Sequence, residues 1–195
     1  MATEILNDAV FYDRHEIIGG EKFMSPAPNL EHGYIIGRLH FIFVNYFLIH
    51  KNGYVHADNT DVHFSDESLY KPDLSVVLKE SAQILESGKA IYGAPDMVVE
   101  VLSYSTRNND LGIKKDTYEA QGVREYWIVD PWAKSVSVYL LRDGKYFLNG
   151  RYILLEGADF EALTDEEQAE YLAEVPVSIV EGLSIPLKFI FDWGY

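Results

Sequence analysis

The eight residues from Asp96 to Ser103, DMVVEVLS, have the dense Val/Leu character of a β-strand covered on both faces. A strand of that kind needs a layer above and a layer below, so the chain is expected to be α/β, a central sheet flanked by helices. The residues downstream agree. A helix is predicted to begin near Ser105 or Thr106, whose hydroxyls can cap free amides, and to end at Gly122, a natural left-handed C-terminal cap. REYWIVD and KSVSVYLL then read as two further strands, joined by a turn at Pro131-Trp132-Ala133. Strand, helix and strand in this order predict a right-handed crossover between parallel neighbours.

Upstream, HEIIGGEKFM predicts a β-hairpin turning at Gly19-Gly20, because two adjacent glycines supply the positive φ angles of a tight turn. The loop SPAPN, broken by Pro26 and Pro28, leads into a long helix over Glu31 to His50. That helix is apolar on most sides, which predicts a deeply buried position. YVHADNTDVHF and SLYKPDLSVVL read as two strands about a turn at Ser65-Asp66-Glu67. Near the C-terminus, Thr164 and Glu167 have capping-box spacing ahead of a short helix, and LSIPLKFIF closes the chain.

With 195 residues, 48% of them hydrophobic and 24% charged, the expectation is one folded domain over 1–195, its core at about 15–141 with a C-terminal extension over 142–195. The absence of cysteine removes disulfide and thiolate-metal chemistry and makes a reducing compartment, the cytoplasm, the expected location. The first residues carry Glu4, Asp8 and Asp13 where an export signal would be basic and then apolar. No stretch is long and apolar enough for a membrane span, so no membrane partner is expected. The net charge of −15 opposes nucleic-acid binding in general. Even so, Arg107, Lys114, Lys115 and Arg124 fall close together and leave room for a local basic face.

Two acids stand where acids are costly. Strand alternation puts Asp73 with Ser75 and Val77 on one face of KPDLSVV, and Glu100 with Val98 and Leu102 on one face of DMVVEVLS. Taken singly, Asp73 can cap the turn after Pro72 and Glu100 can pair with a lysine. Taken together, two carboxylates in strand-like segments are the usual protein ligands of magnesium, whose shell is completed by water and substrate phosphate. The chain moves out about 16 Å from Glu100 to Ser105 at strand rise, and a straight helix brings it back about 12 Å by Lys114. Lys114 is therefore expected level with Glu100, with Asp110 and Tyr118 four residues to either side holding its ammonium. Lys115 points about 100° away, toward solvent. The plain alternative for Lys114 is a surface lysine paired with Asp110.

Several separated motifs match one family in order: HEIIGGE, MSPAP, His32, KPDLSVV, GAPDMVVEVLSYST, the D-L-G-I-K segment with Tyr118, and GVREYWIVDP. Over about His15 to Leu141 the chain resembles the Uma-two (restriction endonuclease) family of the PD-(D/E)XK nuclease superfamily. The resemblance implies a restriction-endonuclease-like core, with Asp73 and Glu100 as the motif's two acids holding Mg (or Mn). The motif's lysine should follow the second acid by two residues, where this chain has Leu102. In this family the lysine resembles one moved onto the following helix, which matches Lys114.

The activity so implied is metal-dependent hydrolysis of DNA phosphodiester bonds, with His32, which matches a histidine typical of the family, as a supporting residue or else a cap or packing residue. Apart from the resemblance, Glu16 and Glu21 flank the hairpin, where either could supply a further carboxylate. A homodimer is expected if both strands of a duplex are cut. Two other functions fit the same residues: a non-catalytic interaction module that keeps the fold, and a metal-dependent hydrolase of a small phosphate substrate.

Overall fold

The computed structural model describes residues 15–24, 29–57 and 60–192. The acidic N-terminal stretch and the loop holding Pro26 and Pro28 lie outside them. The hairpin is present, as β1 (His15–Ile18) and β2 (Glu21–Met24), with Gly19 and Gly20 both at positive φ. Helix α1 (Leu30–His50) starts at Asn29, whose side chain accepts the His32 backbone N–H, and ends where Lys51 turns left-handed. The two long strands expected next are four short ones, β3 (Gly53–Ala57), β4 (Val62–His63), β5 (Leu69–Tyr70) and β6 (Leu74–Leu78). After a 3-10 segment come β7 (Ile91–Tyr92) and β8 (Met97–Val101).

The helix expected from Thr106 to Gly122 is two helices, α2 (Arg107–Leu111) and α3 (Ile113–Gln121). Gly112 separates them at φ −116° and ψ −104°, and a Cβ there would lie 2.9 Å from the Asn108 carbonyl oxygen. Gly122 caps α3 in the left-handed region, as its position predicts. Strands β9 (Glu125–Asp130), β10 (Ser135–Arg142) and β11 (Lys145–Ile153) follow. The rest is α4 (Ala158–Glu161), α5 (Asp165–Glu170) with its capping box formed, β12 (Glu174–Pro176), β13 (Ser184–Pro186) and α6 (Leu187–Phe191).

Six strands form a mixed sheet in the order β11-β10-β9-β8-β6-β3. Strands β8 and β9 are parallel, joined through α2 and α3, and the other pairings are antiparallel. The expected central strand is indeed central and buried along its whole length. A second sheet, β2-β1-β5-β4-β7, explains why the two long stretches split: β3 and β6 pair in the large sheet, while β4 and β5 cross to the small one.

One face of the large sheet packs Leu74, Val76, Met97, Val99, Val101, Trp127 and Val129 against α1 and the C-terminal segment. The other packs Val77, Val98, Leu102, Tyr126 and Ile128 against α3 and the small sheet. Helix α1 is not the deeply buried element its composition predicts. Ile35, Ile36, Leu39, Phe43 and Phe47 form its buried stripe, while Phe41, Leu48 and Ile49 stay more than half exposed. Two layers of core suffice to bury only one side of it.

Candidate active site

Strand alternation in β8 sends Val99 and Val101 toward α1 and Glu100 the other way, into the layer beneath α3. Pairing of β6 with β8 runs Leu74 to Val99 and Ser75 to Val98. Carried one residue further, this register sets Asp73 opposite Glu100, at the separation of a cross-strand pair. Two like charges so placed repel unless a cation lies between or beside them.

Lys114, in the first turn of α3, supplies a positive charge. Its ammonium is buried and donates to Glu100 Oε1 at 3.1 Å, with Glu16 Oε1 at 3.0 Å and Asp110 Oδ1 at 3.4 Å. The level at which Lys114 was expected is the level at which it stands, although the helix carrying it is broken. Asp110 reaches the amine from α2, across that break. Tyr118 takes a different part from the one expected: its hydroxyl donates to Glu100 Oε1 at 2.6 Å rather than holding the ammonium. Lys115 is half-buried, its amine 4.5 Å from the centre of the Tyr139 ring, and so is not simply solvated.

Each acid of the strand pair is held through one oxygen. Asp73 Oδ2 accepts the Val101 backbone N–H at 2.7 Å, and His32 Nε2 lies 3.1 Å from the same atom. Glu100 Oε1 accepts from both Lys114 and Tyr118. No described residue donates to the other oxygen of either carboxylate. Outer partners that fix one oxygen and present the second are how proteins orient carboxylate ligands.

Glu16 is the residue that the sequence underrated. In β1 it alternates with Ile17, so it shares the inward face of Ile18 and is almost fully buried. Its Oε1 accepts the Lys71 backbone N–H at 2.9 Å as well as contacting Lys114, which links the approach to Asp73 with the amine of α3. The alternation of HEII does not carry that signal, because each face of the strand has one isoleucine, Ile17 opposite Glu16 and Ile18 beside it. Glu21 lies exposed on β2, away from the cluster.

The cluster holds more acid than base. Burial raises Glu100 well above the usual carboxylate range, and Asp110, Asp73 and Glu16 add to this against the opposing pull of Lys114. Asp110 is raised in the same way, first by burial. Burial works against the Lys114 ammonium, yet Glu100, Glu16 and Asp110 overcome it and keep the amine protonated to a pH well above that of a free lysine. Burial likewise keeps the Tyr118 hydroxyl protonated, reinforced by Glu100.

A shortage of positive charge among oxygen donors fits a hard divalent cation. Among the described residues no three His, Asp or Glu side chains form a group that would hold a metal unaided. An ion at Asp73 and Glu100 would have these two carboxylates as its protein ligands and would need water and phosphate oxygens to complete its shell.

Among the described residues, Arg107, Lys114, Lys115 and Arg124 do not gather into a basic face beside this cluster, Lys115 standing over the Tyr139 ring. Lys114 is internal, Arg107 pairs with Asp130 at 3.2 Å, and Arg124 pairs with Asp96 at 3.0 Å and Glu80 at 3.3 Å.

Comparison with known proteins bears on the same region. The family described as "Putative restriction endonuclease" matches residues 12–157. A crystal structure described as "a putative nuclease belonging to DUF820 from Anabaena variabilis ATCC 29413" is similar in fold. It shares 19% sequence identity at a TM-score of 0.69, over 92% of this chain and 90% of that one. No curated protein matches the chain.

Proposed function

This chain belongs to the Uma2 family of restriction-endonuclease-like proteins, and from that footing we propose that it hydrolyses DNA phosphodiester bonds with a magnesium or manganese ion held by Asp73 and Glu100. The observation that carries the reading is the meeting of Glu100 with Lys114 at 3.1 Å, on an acid-rich face with Asp73 on the neighbouring strand. An ion held there by Asp73 and Glu100 would supply an activated water and a polarised phosphate.

The chain's own residues do the positioning. Val101 N–H and His32 hold Asp73 through Oδ2, and Tyr118 and Lys114 hold Glu100 through Oε1, so an ion would be met by the second oxygen of each. Lys114 remains charged, so it can orient the nucleophile or stabilise the charge that grows on phosphate oxygens in the transition state. Its distance from Glu100 is set by the docking of α3 on the sheet, because it does not share a strand with that acid.

Supercoiled plasmid incubated with magnesium or manganese should be nicked. Glu100→Gln or Lys114→Ala should lower the rate by at least about 10²-fold, the usual effect of removing one group aimed at the transition state. Cleavage that survives both substitutions belongs to a contaminant. Calorimetric binding of manganese, lost in Asp73→Ala, separates this reading from a non-catalytic module with the same fold. That second reading is favoured by the net charge of −15.

A further inference from the structure

Just past the strands that carry the cluster, two aromatic rings face solvent. Tyr104 lies four residues beyond Glu100, in the turn after β8, and is 87% exposed. Trp132 lies in the turn after β9 and is 40% exposed. Because β8 and β9 are parallel neighbours, both turns leave the sheet at the same end, and the rings meet with centroids 4.4 Å apart at 45°. The Arg107 guanidinium stands 6.0 Å from the centre of the Trp132 ring and is tied to Asp130. At strand rise, Tyr104 is at most about 13 Å along the chain from Glu100.

A tyrosine this exposed gains little from folding, so its ring is free to be covered by something else. The end of the sheet where parallel strands finish is also where ligands of α/β proteins bind. The charge balance then selects the ligand. With 31 acidic against 16 Lys and Arg residues, and Arg107, Lys114 and Arg124 all paired to acids, phosphate neutralisation cannot supply much affinity. Aromatic stacking can, because every base has a π-face and each stacked base contributes substantially without help from charge. In an intact duplex those faces are hidden between neighbouring bases. In a single strand, a frayed end or a flipped base they are open.

We propose that Tyr104 and Trp132 form a stacking platform for unpaired bases, which leads a single-stranded stretch of nucleic acid toward the Asp73–Glu100–Lys114 cluster. This rests on the nuclease reading above and narrows its substrate to DNA whose bases are not paired near the cut.

The test is anisotropy of a fluorescein-labelled 12-nucleotide single strand and of the matching duplex, in chelator so that no cleavage occurs. The wild type should bind the single strand at least tenfold more tightly. Its affinity should change little with salt, with a log–log slope below about 1, as for roughly one neutralised phosphate. Tyr104→Ala and Trp132→Ala should each weaken single-strand binding by about tenfold, within the usual range for one lost stack, while Tyr104→Phe, which keeps the π-face, should bind as the wild type does. An RNA strand of the same sequence should bind no more tightly than the DNA strand, and a clear preference for RNA would overturn the assignment to DNA.

Duplex binding as tight as that of the single strand, or alanine variants that bind normally, would overturn the proposal. Cleavage is scored separately with magnesium, for the wild type and Lys114→Ala. Ring-dependent binding without cleavage removes the nuclease reading and leaves the platform; cleavage without ring-dependent binding does the reverse.

Discussion

The two faces of the large sheet are built from the same strands and do opposite work. Toward α1, the side chains of β6, β8 and β9 are Leu, Val, Met and Trp, apart from the buried Glu125, whose carboxylate accepts from Trp127 Nε1 and the Ile179 backbone N–H, and the C-terminal segment adds Ile185, Leu187, Ile190 and Phe191. Toward α3, residues one position away in the same strands bring Glu100 to Lys114 and Tyr118 and bring Tyr126 to Asp110, while Glu16 joins them through Lys114. Burial of apolar surface is non-directional and stabilises the first face. On the second face every polar atom has a geometric demand, and charges of one sign are in excess, so that face is arranged for something other than stability. The difference teaches that a single β-strand can divide its labour by parity.

Phe43→Ala on the α1 face should cost about 3–5 kcal/mol of stability, as expected for a fully buried ring, and leave the chemistry of folded molecules untouched. Denaturant unfolding together with rate per folded molecule checks this; a large fall in that rate would mean the faces are coupled.

Glu100→Gln should do the reverse, abolishing cleavage while making the metal-free protein more stable at neutral pH. The sign comes from its raised carboxyl. Between the ordinary carboxylate range and the elevated folded value, the folded state binds more protons than the unfolded one, so stability falls as pH rises through that window. Glutamine has no proton to lose. Melting temperature against pH in chelator should therefore decline less steeply in the variant than in the wild type, and parallel curves would refute the sign.

The smallest effect belongs to a position remote from both faces. Thr164→Ala removes the capping box of α5 and should cost about 1 kcal/mol with no change in cleavage, measured by thermal melting and plasmid nicking.

Local chemistry was legible in the sequence and long-range pairing was not. The Gly19-Gly20 turn, the Gly122 cap, the Thr164–Glu167 box and the doubly covered strand at Glu100 each depend on residues a few positions apart. The split of Val62–Tyr70 from its neighbours depends on β1, about fifty residues away, pairing with β5. Nothing in YVHADNTDVHF announces that partner. Glu16 joins Lys114 for the same kind of reason, since alternation in HEII sets one isoleucine on each face and shows neither which side is buried nor what lies beneath. The exposed Phe41, Leu48 and Ile49 show the limit of composition, which counts apolar residues on a helix without knowing how many neighbours will cover it. Strand and helix rise alone bring Lys114 beside Glu100, and the one-residue break at Gly112 does not prevent that contact.

That break also decides how the molecule should fail. In the usual nuclease motif, acid and amine share a strand and part only when the sheet does. Here the amine rides a nine-residue helix set off by a glycine joint, and a helix so short holds only through its packing, chiefly Tyr118, on the sheet beneath it. Gentle warming should thus silence the chain while its strands remain intact, with the backbone amides of Ile113 to Gln121 exchanging with deuterium long before those of Met97 to Val101.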